Sequence, residues 1–422
     1  MRILYVHANF STPQGSWSTR AYDFARHWIA RGHQVTIVTG AYDRSDLRPT
    51  GLMWTGAVDG IAVRALNVRF SNRDRFARRV VTYLALGAFA AWQAARRPYD
   101  VALVSCGPVT LGAAAVVARR VRRRTTVVEV RDLFSDGLAQ LGIVRNPAAL
   151  AGLRRLEDVS YRSAHAVVAL SDTMGERLRE RHRLRSLAVV PNTANLELFG
   201  RPQARPAALT GGGAHFLYTG TLGRANDCGQ ILRAARLLRA WSRSEIHIHL
   251  IGDGSERPAL QKEAAHAGLD NVHFVPPIPK ETLGGWLGAA TAMVLTLKPL
   301  PVFDTVSPNK LFDALAAGLP VIQTTGGWIR GVLRDHHCGI TVDPHRPQAL
   351  AEAMVALSDD RPRRDRMGRN ARRIAAAAYG TERLADRMLA TLAAARCREP
   401  IDSPRNHHDH CRGSEGEQGG ES

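Results

Sequence analysis

Short apolar runs and helical patterns alternate along this chain, and the alternation starts again after its midpoint. In the first half, apolar runs typical of buried strands lie at residues 3–6, 35–38, 101–105, 126–130, 166–169 and 187–190. Helical patterns lie between them at residues 19–30, 76–95, 110–120 and 150–163. Buried strands that alternate with helices indicate a parallel sheet with helices on both faces. The pattern therefore predicts a doubly wound α/β domain over residues 1–199.

The second half repeats this arrangement. Residues 200–213 are rich in Pro, Ala and Gly and predict an interdomain linker. Strands are then predicted at residues 216–218, 246–251, 272–275, 293–297 and 339–342, and helices at 230–240, 257–267, 282–289, 348–357 and 361–378. We expect a second domain over residues 214–378, followed by a helix over 379–396 that can pack back on the first domain. Two domains that face each other leave a cleft, the usual place for a shared ligand.

Length and cysteine usage constrain the class of protein. A chain of 422 residues is too long for one ordinary core, and its 45% of hydrophobic residues can supply two. The five cysteines are scattered and match neither disulfide nor zinc spacing, which favours a reducing compartment. Met1 leads directly into a strand-like sequence, so we expect no signal peptide and a cytoplasmic protein. Residues 397–422 are polar and predict a disordered tail, which is the simpler interpretation of the metal-tract-like stretch 407–411.

The positive charge is concentrated in the first half. Residues 1–200 hold 29 Arg and 15 acidic residues, a net +14, whereas residues 201–422 contribute +5 to the total of +19. This asymmetry predicts an anionic partner for the first half. Membrane phosphate groups fit this prediction. Nucleic acid is the less favoured alternative, because no recognition motif accompanies the charge, and we expect no nucleic-acid partner.

The segment Ser307-Pro308-Asn309-Lys310 predicts the start of a helix that binds an anion. We expect Ser307 to be the N-cap, Pro308 to occupy the first helical position, and Gly318 to end the helix in a left-handed conformation. Free backbone N–H groups at such a start attract phosphate, and Lys310 adds a full positive charge. Asp313, one turn further on, is placed to accept hydrogen bonds from sugar hydroxyls. A diphosphate and a ribose would fit this arrangement.

The sequence resembles the family 4 retaining glycosyltransferases, which have the two-domain GT-B fold. The resemblance extends to about Arg396 and rests on the order and spacing of several short segments, at residues 7–10, 15–20, 31–38, 129–136, 190–192, 218–223, 250–257 and 307–322. The Arg131-Asp132-Leu133 and Ser307-Pro308-Asn309-Lys310 variants are most similar to the branch that transfers amino or deoxy sugars in surface-polysaccharide assembly. The resemblance implies that the C-terminal domain binds a nucleoside diphosphate sugar and that the N-terminal domain presents the acceptor.

Two departures from the family pattern affect the expected donor site. The family has two Glu separated by seven residues, and alignment on Asp313 places Thr305 at the first of them, with Asp304 beside it. The family's basic pair corresponds here to uncharged Thr221 and Asn226. The resemblance therefore implies donor binding by Ser307, Asn309, Lys310, Asp313 and Asp304, with Arg224, Lys298 and Lys310 as the cations available for the diphosphate.

In the N-terminal domain, Gly15 would let the backbone approach the phosphates, and a helix from about Trp17 would direct its N-terminus at them. A plain strand-to-helix turn is the alternative. Asp132 follows a strand end and would orient the reacting sugar or the acceptor hydroxyl, or else cap a helix. His7 is either structural or catalytic, and His33 is interpreted as a packing feature. The expected catalytic residues are Asp132, Lys310 and Arg224.

Cofactor and acceptor are predicted from what surrounds these motifs. Neither the paired carboxylates of a glycosidase nor a metal cluster is evident, so we expect same-face attack that needs no divalent cation and no cofactor.

Residues 80–95 form an apolar run too short for a typical membrane span. The run is bracketed by basic residues, namely Arg73, Arg75, Arg78, Arg79, Arg96 and Arg97. It is either a buried helix or an interfacial one that brings the enzyme to a polyprenyl-diphosphate-linked acceptor at the inner face of the plasma membrane.

Three functions are consistent with these features. A glycosyltransferase of surface polysaccharide or glycoconjugate synthesis is the first. A GT-B-like sugar-nucleotide epimerase needs acid–base side chains that this cleft supplies poorly. A non-catalytic nucleotide-sugar-binding protein is suggested by Thr305, Thr221 and Asn226.

Overall fold

The first half of the chain forms one eight-stranded sheet. The computed structural model describes residues 1–71, 74, 76–184, 186–399 and 401. The strands of this sheet are β1 Arg2–His7, β2 Gln34–Tyr42, β3 Met53–Val58, β4 Ile61–Phe70, β5 Val101–Cys106, β6 Thr125–Val130, β7 Ala166–Ala169 and β8 Leu187–Val189. Their order is β3-β4-β2-β1-β5-β6-β7-β8, and all neighbours are parallel except β3 and β4.

Helices cover both faces of this sheet. They are α1 Arg20–Ala30, α2 Phe76–Arg96, α3 Gly112–Val116, α4 Phe134–Gln140, α5 Pro147–Arg162, α6 Asp172–His182 and α7 Leu196–Phe199. A 3₁₀ turn at Val109–Leu111 precedes α3, and a π turn at Val117–Val121 follows it. The helix predicted over residues 110–120 is therefore a composite of three helical types.

The second half forms a six-stranded sheet in which every pair of neighbours is parallel. Its strands are β9 Ala214–Thr221, β10 Ile246–Asp253, β11 Val272–Val275, β12 Ala292–Leu295, β13 Val321–Gln323 and β14 Gly339–Thr341, in the order β11-β10-β9-β12-β13-β14. The helices are α8 Gly229–Ala240, α9 Arg257–His266, α10 Leu283–Ala289, α11 Asn309–Ala317, α12 Gly327–Asp335, α13 Pro347–Asp359, α14 Arg361–Ile374 and α15 Thr381–Cys397. The predicted doubly wound α/β class is confirmed. We call the two halves the first lobe and the second lobe; the domain boundaries proposed above stay predictions.

The β3–β4 hairpin was not predicted from the sequence. Asp59 and Gly60 form its two-residue turn, and both have positive φ, 47° and 82°. An Asp-Gly pair is the residue choice that such a turn favours. The hairpin adds an antiparallel edge to an otherwise parallel sheet.

A buried ion pair joins α1 to the centre of the first sheet. Arg20, the first residue of α1, donates from Nε to Oε1 of Glu129 on β6 at 2.9 Å, and both side chains are buried. Its other nitrogens donate to the carbonyl oxygens of Val190 and Pro191. Ser105 Oγ on β5 donates to the other Glu129 oxygen at 2.6 Å. Burial alone would raise the pKa of Glu129, but the charges of Arg20 and Arg131 outweigh it and lower that pKa to about 2.

The last helix returns to the first lobe. Trp28 of α1 donates its indole N–H to the carbonyl of Ala385 on α15 at 2.9 Å, and His27 Nε2 lies 2.7 Å from an Asp386 carboxylate oxygen. The segment at Ala194, where the chain leaves the first lobe, contacts the segment at Gly380, where it returns. Ala194 N donates to the Tyr379 carbonyl at 2.8 Å, and Ala194 pairs with Gly380. The chain thus crosses between the lobes twice, side by side.

Some of the sequence expectations concern residues outside the described part of the chain. Arg73, Arg75, the stretch 407–411 and most of the predicted tail are among them. Cys397, the first residue of that predicted tail, is instead the last residue of α15. Among the described residues, no helix has both the length and the apolar character that crossing a bilayer requires.

The buried ion pair yields a stability prediction. Replacing Glu129 by Gln leaves the Arg20 charge buried without its counter-charge, which typically costs about 3–5 kcal/mol. We expect the free energy of unfolding, measured by urea denaturation at neutral pH, to fall by that order. Glu197→Gln is the control, because its ion pair with Arg201 is solvent exposed at 3.7 Å and should contribute nothing measurable. Equal stability of the two variants would contradict the prediction.

Candidate functional site

A cavity of about 190 Å³ lies between the lobes, at the carboxyl ends of the second-lobe strands. We call it the cleft cavity. The first lobe contributes Ser16, Trp17 and Arg44 to its lining. The second lobe contributes Thr219, Gly220, Thr221, Asn226, Ile251, Gly252, Pro277, Ile278, Lys280, Leu283, Asn309, Lys310 and Asp313. The carboxyl ends of parallel strands are where such folds bind ligands.

The helix that the sequence placed at the site starts one residue later than expected. α11 begins at Asn309, and Pro308 is the extended residue before it, so the assignment of Pro308 to the first helical position is wrong. Ser307 is not the N-cap. Its Oγ accepts from the backbone N–H of Asn192 at 3.3 Å, and its carbonyl accepts from the Asn192 side chain. Ser307 therefore holds the two lobes together, and no side chain caps the first turn of α11. Gly318 ends the helix with φ 69°, as predicted.

Lys310 points its ammonium group into the cleft cavity. Its Nζ lies 3.6 Å from the centre of the Tyr218 ring. Gly220 stands beside it with φ 121°, a conformation that favours glycine and keeps the backbone close to the lysine. Enclosure by the walls of the cavity lowers the pKa of Lys310 to about 7, because desolvation disfavours its charged form. An anionic ligand would restore the full charge.

Asp313 lines the same cavity and is paired with Lys280. Lys280 Nζ lies 2.5 Å from Asp313 Oδ2, and both side chains are largely buried. Burial raises the pKa of Asp313, and the Lys280 charge opposes that shift. The predicted contact of Asp313 with ribose stays a prediction. Lys280 was not identified from the sequence, although it is one of only four lysines in an Arg-rich chain and follows the end of β11.

The first lobe adds another cation that the sequence did not reveal. Arg44 donates from Nη2 to the carbonyl of Asp253 at 2.5 Å, across the cleft, and its guanidinium lies 5.5 Å from the centre of the Trp17 ring. The cleft cavity therefore carries three cationic side chains, Arg44, Lys280 and Lys310, against the carboxylate of Asp313. With the uncapped start of α11, this excess of positive charge suits a diphosphate.

Other predicted donor residues do not line this cavity. Arg224 lies exposed on a 3₁₀ turn, and the backbone of Lys298 bonds to the Ala225 carbonyl outside the lining. Asp304 places its carboxylate beside Gly326, before the start of α12.

Thr305 and Gly15 have structural contacts instead. Thr305 is buried and donates its hydroxyl to the Val302 carbonyl. Gly15 accepts from the Lys280 backbone N–H at 2.8 Å, and a Cβ there would overlap Ser11. Gly15 thus anchors the loop that presents Lys280. The expected helix from Trp17 begins only at Arg20.

A second cavity, of about 280 Å³, lies next to the first on the first-lobe side. We call it the N-side cavity. Its lining includes Asp132 and His7, two residues singled out in the sequence, and it shares Trp17 and Asn309 with the cleft cavity. The Asp132 side chain is exposed, and desolvation by the surrounding residues raises its pKa to about 6 although the Arg131 charge opposes the shift. The three expected catalytic residues are therefore separated: Lys310 lies in one cavity, Asp132 in the other, and Arg224 in neither.

The two candidate histidines differ in environment. His7 Nδ1 accepts from the Asn9 backbone N–H at 3.3 Å, and His7 Nε2 is buried with no hydrogen-bond partner. Burial, and next the Arg131 charge, lower the pKa of His7 to about 3, so the imidazole is neutral. His33 Nδ1 lies 2.9 Å from the N-terminal amine of Met1, far along the strand from either cavity, which fits the packing interpretation.

Two protein-family models match this chain. A model described as glycosyl transferases group 1 matches residues 202–374, and one described as glycosyl transferase 4-like domain matches residues 16–193. The chain belongs to glycosyltransferase family 4 and has the GT-B fold.

One similar curated protein is a D-inositol 3-phosphate glycosyltransferase from Nocardioides sp., 30% identical over 191 residues. The match covers 40% of this chain and 41% of that relative, so the similar part of this chain spans less than half the length of the relative.

Solved structures share the fold over nearly the whole chain. Sucrose-phosphate synthase from Thermosynechococcus elongatus superposes with a TM-score of 0.70 at 18% identity and covers 92% of this chain and 98% of its own. Anabaena HepE in complex with UDP-glucose gives a TM-score of 0.67 at 15% identity, over 93% and 100%. At these identities the likeness shows the GT-B fold alone.

Metal ligands do not gather anywhere in the described part of the chain. Among those residues, no three His, Cys, Asp or Glu side chains are placed to bind one metal ion. Independence from divalent cations stays a prediction.

The lowered pKa of Lys310 predicts that nucleotide binding takes up a proton. We expect the affinity for a nucleoside diphosphate to fall by up to about tenfold per pH unit between pH 7 and pH 8.5, because the free protein loses the Lys310 proton there while the diphosphate is already ionised. Isothermal titration in buffers of different ionisation enthalpy measures the proton uptake. Lys310→Arg should bind with little pH dependence, because a guanidinium keeps its charge. A pH-independent affinity of the unmodified protein would contradict this prediction.

Proposed function

We propose that this protein transfers a sugar, with retention of anomeric configuration, from a nucleoside diphosphate sugar to a glycan or lipid-linked acceptor. Its process would be cell-surface polysaccharide or glycoconjugate synthesis, with an amino or deoxy sugar as the transferred group. The charge of the cleft cavity carries the proposal, because three cations and an uncapped helix start face one carboxylate at the boundary of the lobes. The structure of HepE, a protein of the same fold, holds UDP-glucose.

The mechanism follows from where negative charge develops. The acceptor oxygen forms a bond to the anomeric carbon as the bond from that carbon to the diphosphate breaks, and the acceptor proton passes to a leaving phosphate oxygen. Lys310, Arg44 and the first amides of α11 would stabilise the charge that grows on the diphosphate, in place of a metal ion. Asp313 is held by Lys280, and no second carboxylate of the described residues lines the cleft cavity, so a glycosidase-type nucleophile has no counterpart there.

One observation favours the non-catalytic alternative. The position at which the family has its first Glu is Thr305, whose buried hydroxyl bonds to the Val302 carbonyl. Asp304 beside it faces Gly326 and does not line the cavity. The transferred sugar would then lack its usual carboxylate contact, and binding without turnover is the outcome that this alternative predicts.

A donor screen tests the proposal. Nucleotide sugars are ranked by thermal shift, since a ligand that binds the folded state raises the melting temperature. The best donor is then tested for transfer to the best acceptor of a glycan panel, with and without EDTA. We expect Lys310→Met to lower the transfer rate by about 10²–10³-fold, the usual cost of removing one preorganised donor to a developing anion. Lys262→Met, on the exposed face of α9, is the control.

Stabilisation by a nucleotide sugar without any transfer would favour the binding protein. If no nucleotide sugar stabilises the protein, both the transferase and the binding-protein hypotheses are overturned. Loss of transfer in EDTA would contradict the metal-independent mechanism alone.

We also propose that α2 brings the protein to an anionic membrane surface. The inner face of α2 is buried through Leu86 and Phe89, but its outer face exposes a stripe of large apolar side chains, namely Val80, Val81, Leu84 and Trp92. Five exposed arginines lie on the π turn that packs against α2 or directly after it, namely Arg119, Arg120, Arg122, Arg123 and Arg124. Exposed apolar side chains beside basic ones favour an anionic lipid interface.

Liposome co-sedimentation tests this surface. We expect the protein to bind phosphatidylglycerol–phosphatidylcholine vesicles at low salt, and Leu84→Asp to abolish most of that binding because it places a charge in the apolar stripe. Leu156→Asp is the matched control, since Leu156 is a similarly exposed leucine on α5. Binding that is unchanged by Leu84→Asp, or absent at low salt, would refute the membrane contact.

A further inference from the structure

We infer that the N-side cavity recognises an uncharged sugar ring as the acceptor and discriminates against a phosphorylated one. This inference rests on the proposed glycosyl transfer and concerns the substrate class of the acceptor. It also separates this chain from the relative named for D-inositol 3-phosphate.

Two buried polar atoms at the cavity have no partner within the protein. His7 Nε2 and Asn9 Oδ1 are both buried, both belong to residues of the lining, and neither makes a hydrogen bond. Because His7 Nδ1 accepts from Asn9 N–H and the ring is neutral, Nε2 carries the proton and is a donor. Asn9 Oδ1 is an acceptor. A hydroxyl group can both accept and donate and so matches this donor and acceptor, whereas an ionised phosphate oxygen can only accept.

The rest of the lining has the composition of a carbohydrate site. Trp17 and Tyr83 supply aromatic surface for the apolar face of a ring, and short polar side chains supply hydrogen-bonding groups, namely Ser18, Ser105, Asn192 and Asn309. Several of these are already oriented. Ser18 Oγ donates to Asn309 Oδ1 at 3.1 Å, and Asn192 is bound to Arg131. Polar groups make up most of this lining, which suits a ligand that carries several hydroxyl groups.

The charges of the two cavities differ in a way that selects the ligand. The charged residues of the described lining of the N-side cavity are Arg131 and Asp132. Arg131 is already committed, because its Nη1 donates to Asn192 Oδ1 at 3.0 Å and lies 3.9 Å from the buried Glu129 carboxylate. A phosphate dianion there would meet the Asp132 carboxylate and compete with Glu129 for Arg131. The cleft cavity, in contrast, offers a clear excess of cations.

A direct comparison of probes tests the inference. UDP binding is first established by thermal shift, and saturation-transfer NMR is then run on the UDP-saturated protein. The probes are the methyl glycosides of glucose, galactose and mannose, together with glucose 6-phosphate and D-myo-inositol 3-phosphate. We expect at least one neutral glycoside to bind, and both phosphorylated probes to bind about tenfold more weakly or not at all.

Variants connect the result to the named residues. Asn9→Ala should weaken the best glycoside by about tenfold, the loss typical of one hydrogen bond, with UDP affinity unchanged. Asp132→Lys should admit the phosphorylated probes by adding an uncommitted cation, and Asp132→Asn serves as its neutral control. This gain is a readout that a merely misfolded variant does not give.

Each outcome decides the inference. Tighter binding of a phosphorylated probe than of every neutral glycoside would overturn it, as would UDP binding with no glycoside bound at all. In both cases the nucleotide still binds, so the proposed transfer is not refuted and is decided by the donor screen. Failure of UDP and every other nucleotide to bind would instead remove the proposed function, and the acceptor inference with it.

Discussion

The buried ion pair between Arg20 and Glu129 positions much of the first lobe. It joins the start of α1 to the centre of the sheet, and the same guanidinium holds the backbone that follows β8. The Glu129 carboxylate is also approached by Arg131, which reaches on to Asn192. Asn192 in turn binds the Ser307 backbone just before α11. A continuous chain of charged and polar contacts thus runs from the buried Arg20–Glu129 pair to the start of α11 at the cleft. Such a network stabilises little by itself but is costly to interrupt.

This chain of contacts makes the two cavities a single arrangement. Ser18 bonds to Asn309, Arg44 bonds to the Asp253 carbonyl, and Gly15 bonds to the Lys280 backbone, so the lobes are closed upon each other by dispersed hydrogen bonds. Trp17 and Asn309 form part of the wall of both cavities. A donor in one cavity and an acceptor in the other would therefore meet at these residues. Proximity of this kind supplies much of what a transfer reaction needs.

The fold was accessible from the sequence because burial patterns report strands and helices directly. The alternation of apolar runs predicted both parallel sheets, but the hairpin at Asp59-Gly60 and the helices α4, α6 and α12 were overlooked. The Asp-Gly pair was a recognisable turn signal. The helix start at Asn309 was displaced by one residue because Ser307, a good cap in isolation, is used by Asn192 of the other lobe. Local preference was overridden by a contact 115 residues away.

Only part of the site could be predicted from the sequence, because distant segments of the chain also contribute residues to it. Lys310, Asn309 and Asp313 belong to one contiguous segment, so their shared position could be predicted. Arg44 and Lys280 reach the cavity from distant parts of the chain, and no spacing connects them to that segment. Arg224 and Lys298 follow strand ends, as site residues do, but strand position does not determine where a side chain points. The unpartnered atoms of His7 and Asn9 become visible only when every neighbour is placed.

The paired crossings between the lobes have a mechanical consequence. Ala194, on the outgoing segment, pairs with Gly380 on the returning one and donates its N–H to the adjacent Tyr379 carbonyl, so both covalent connections cross between the lobes at nearly the same place. The two adjacent connections therefore constrain the lobes covalently at one place only. The hydrogen bonds across the cleft, between Ser18 and Asn309 and between Arg44 and Asp253, add constraints elsewhere on how the lobes are placed.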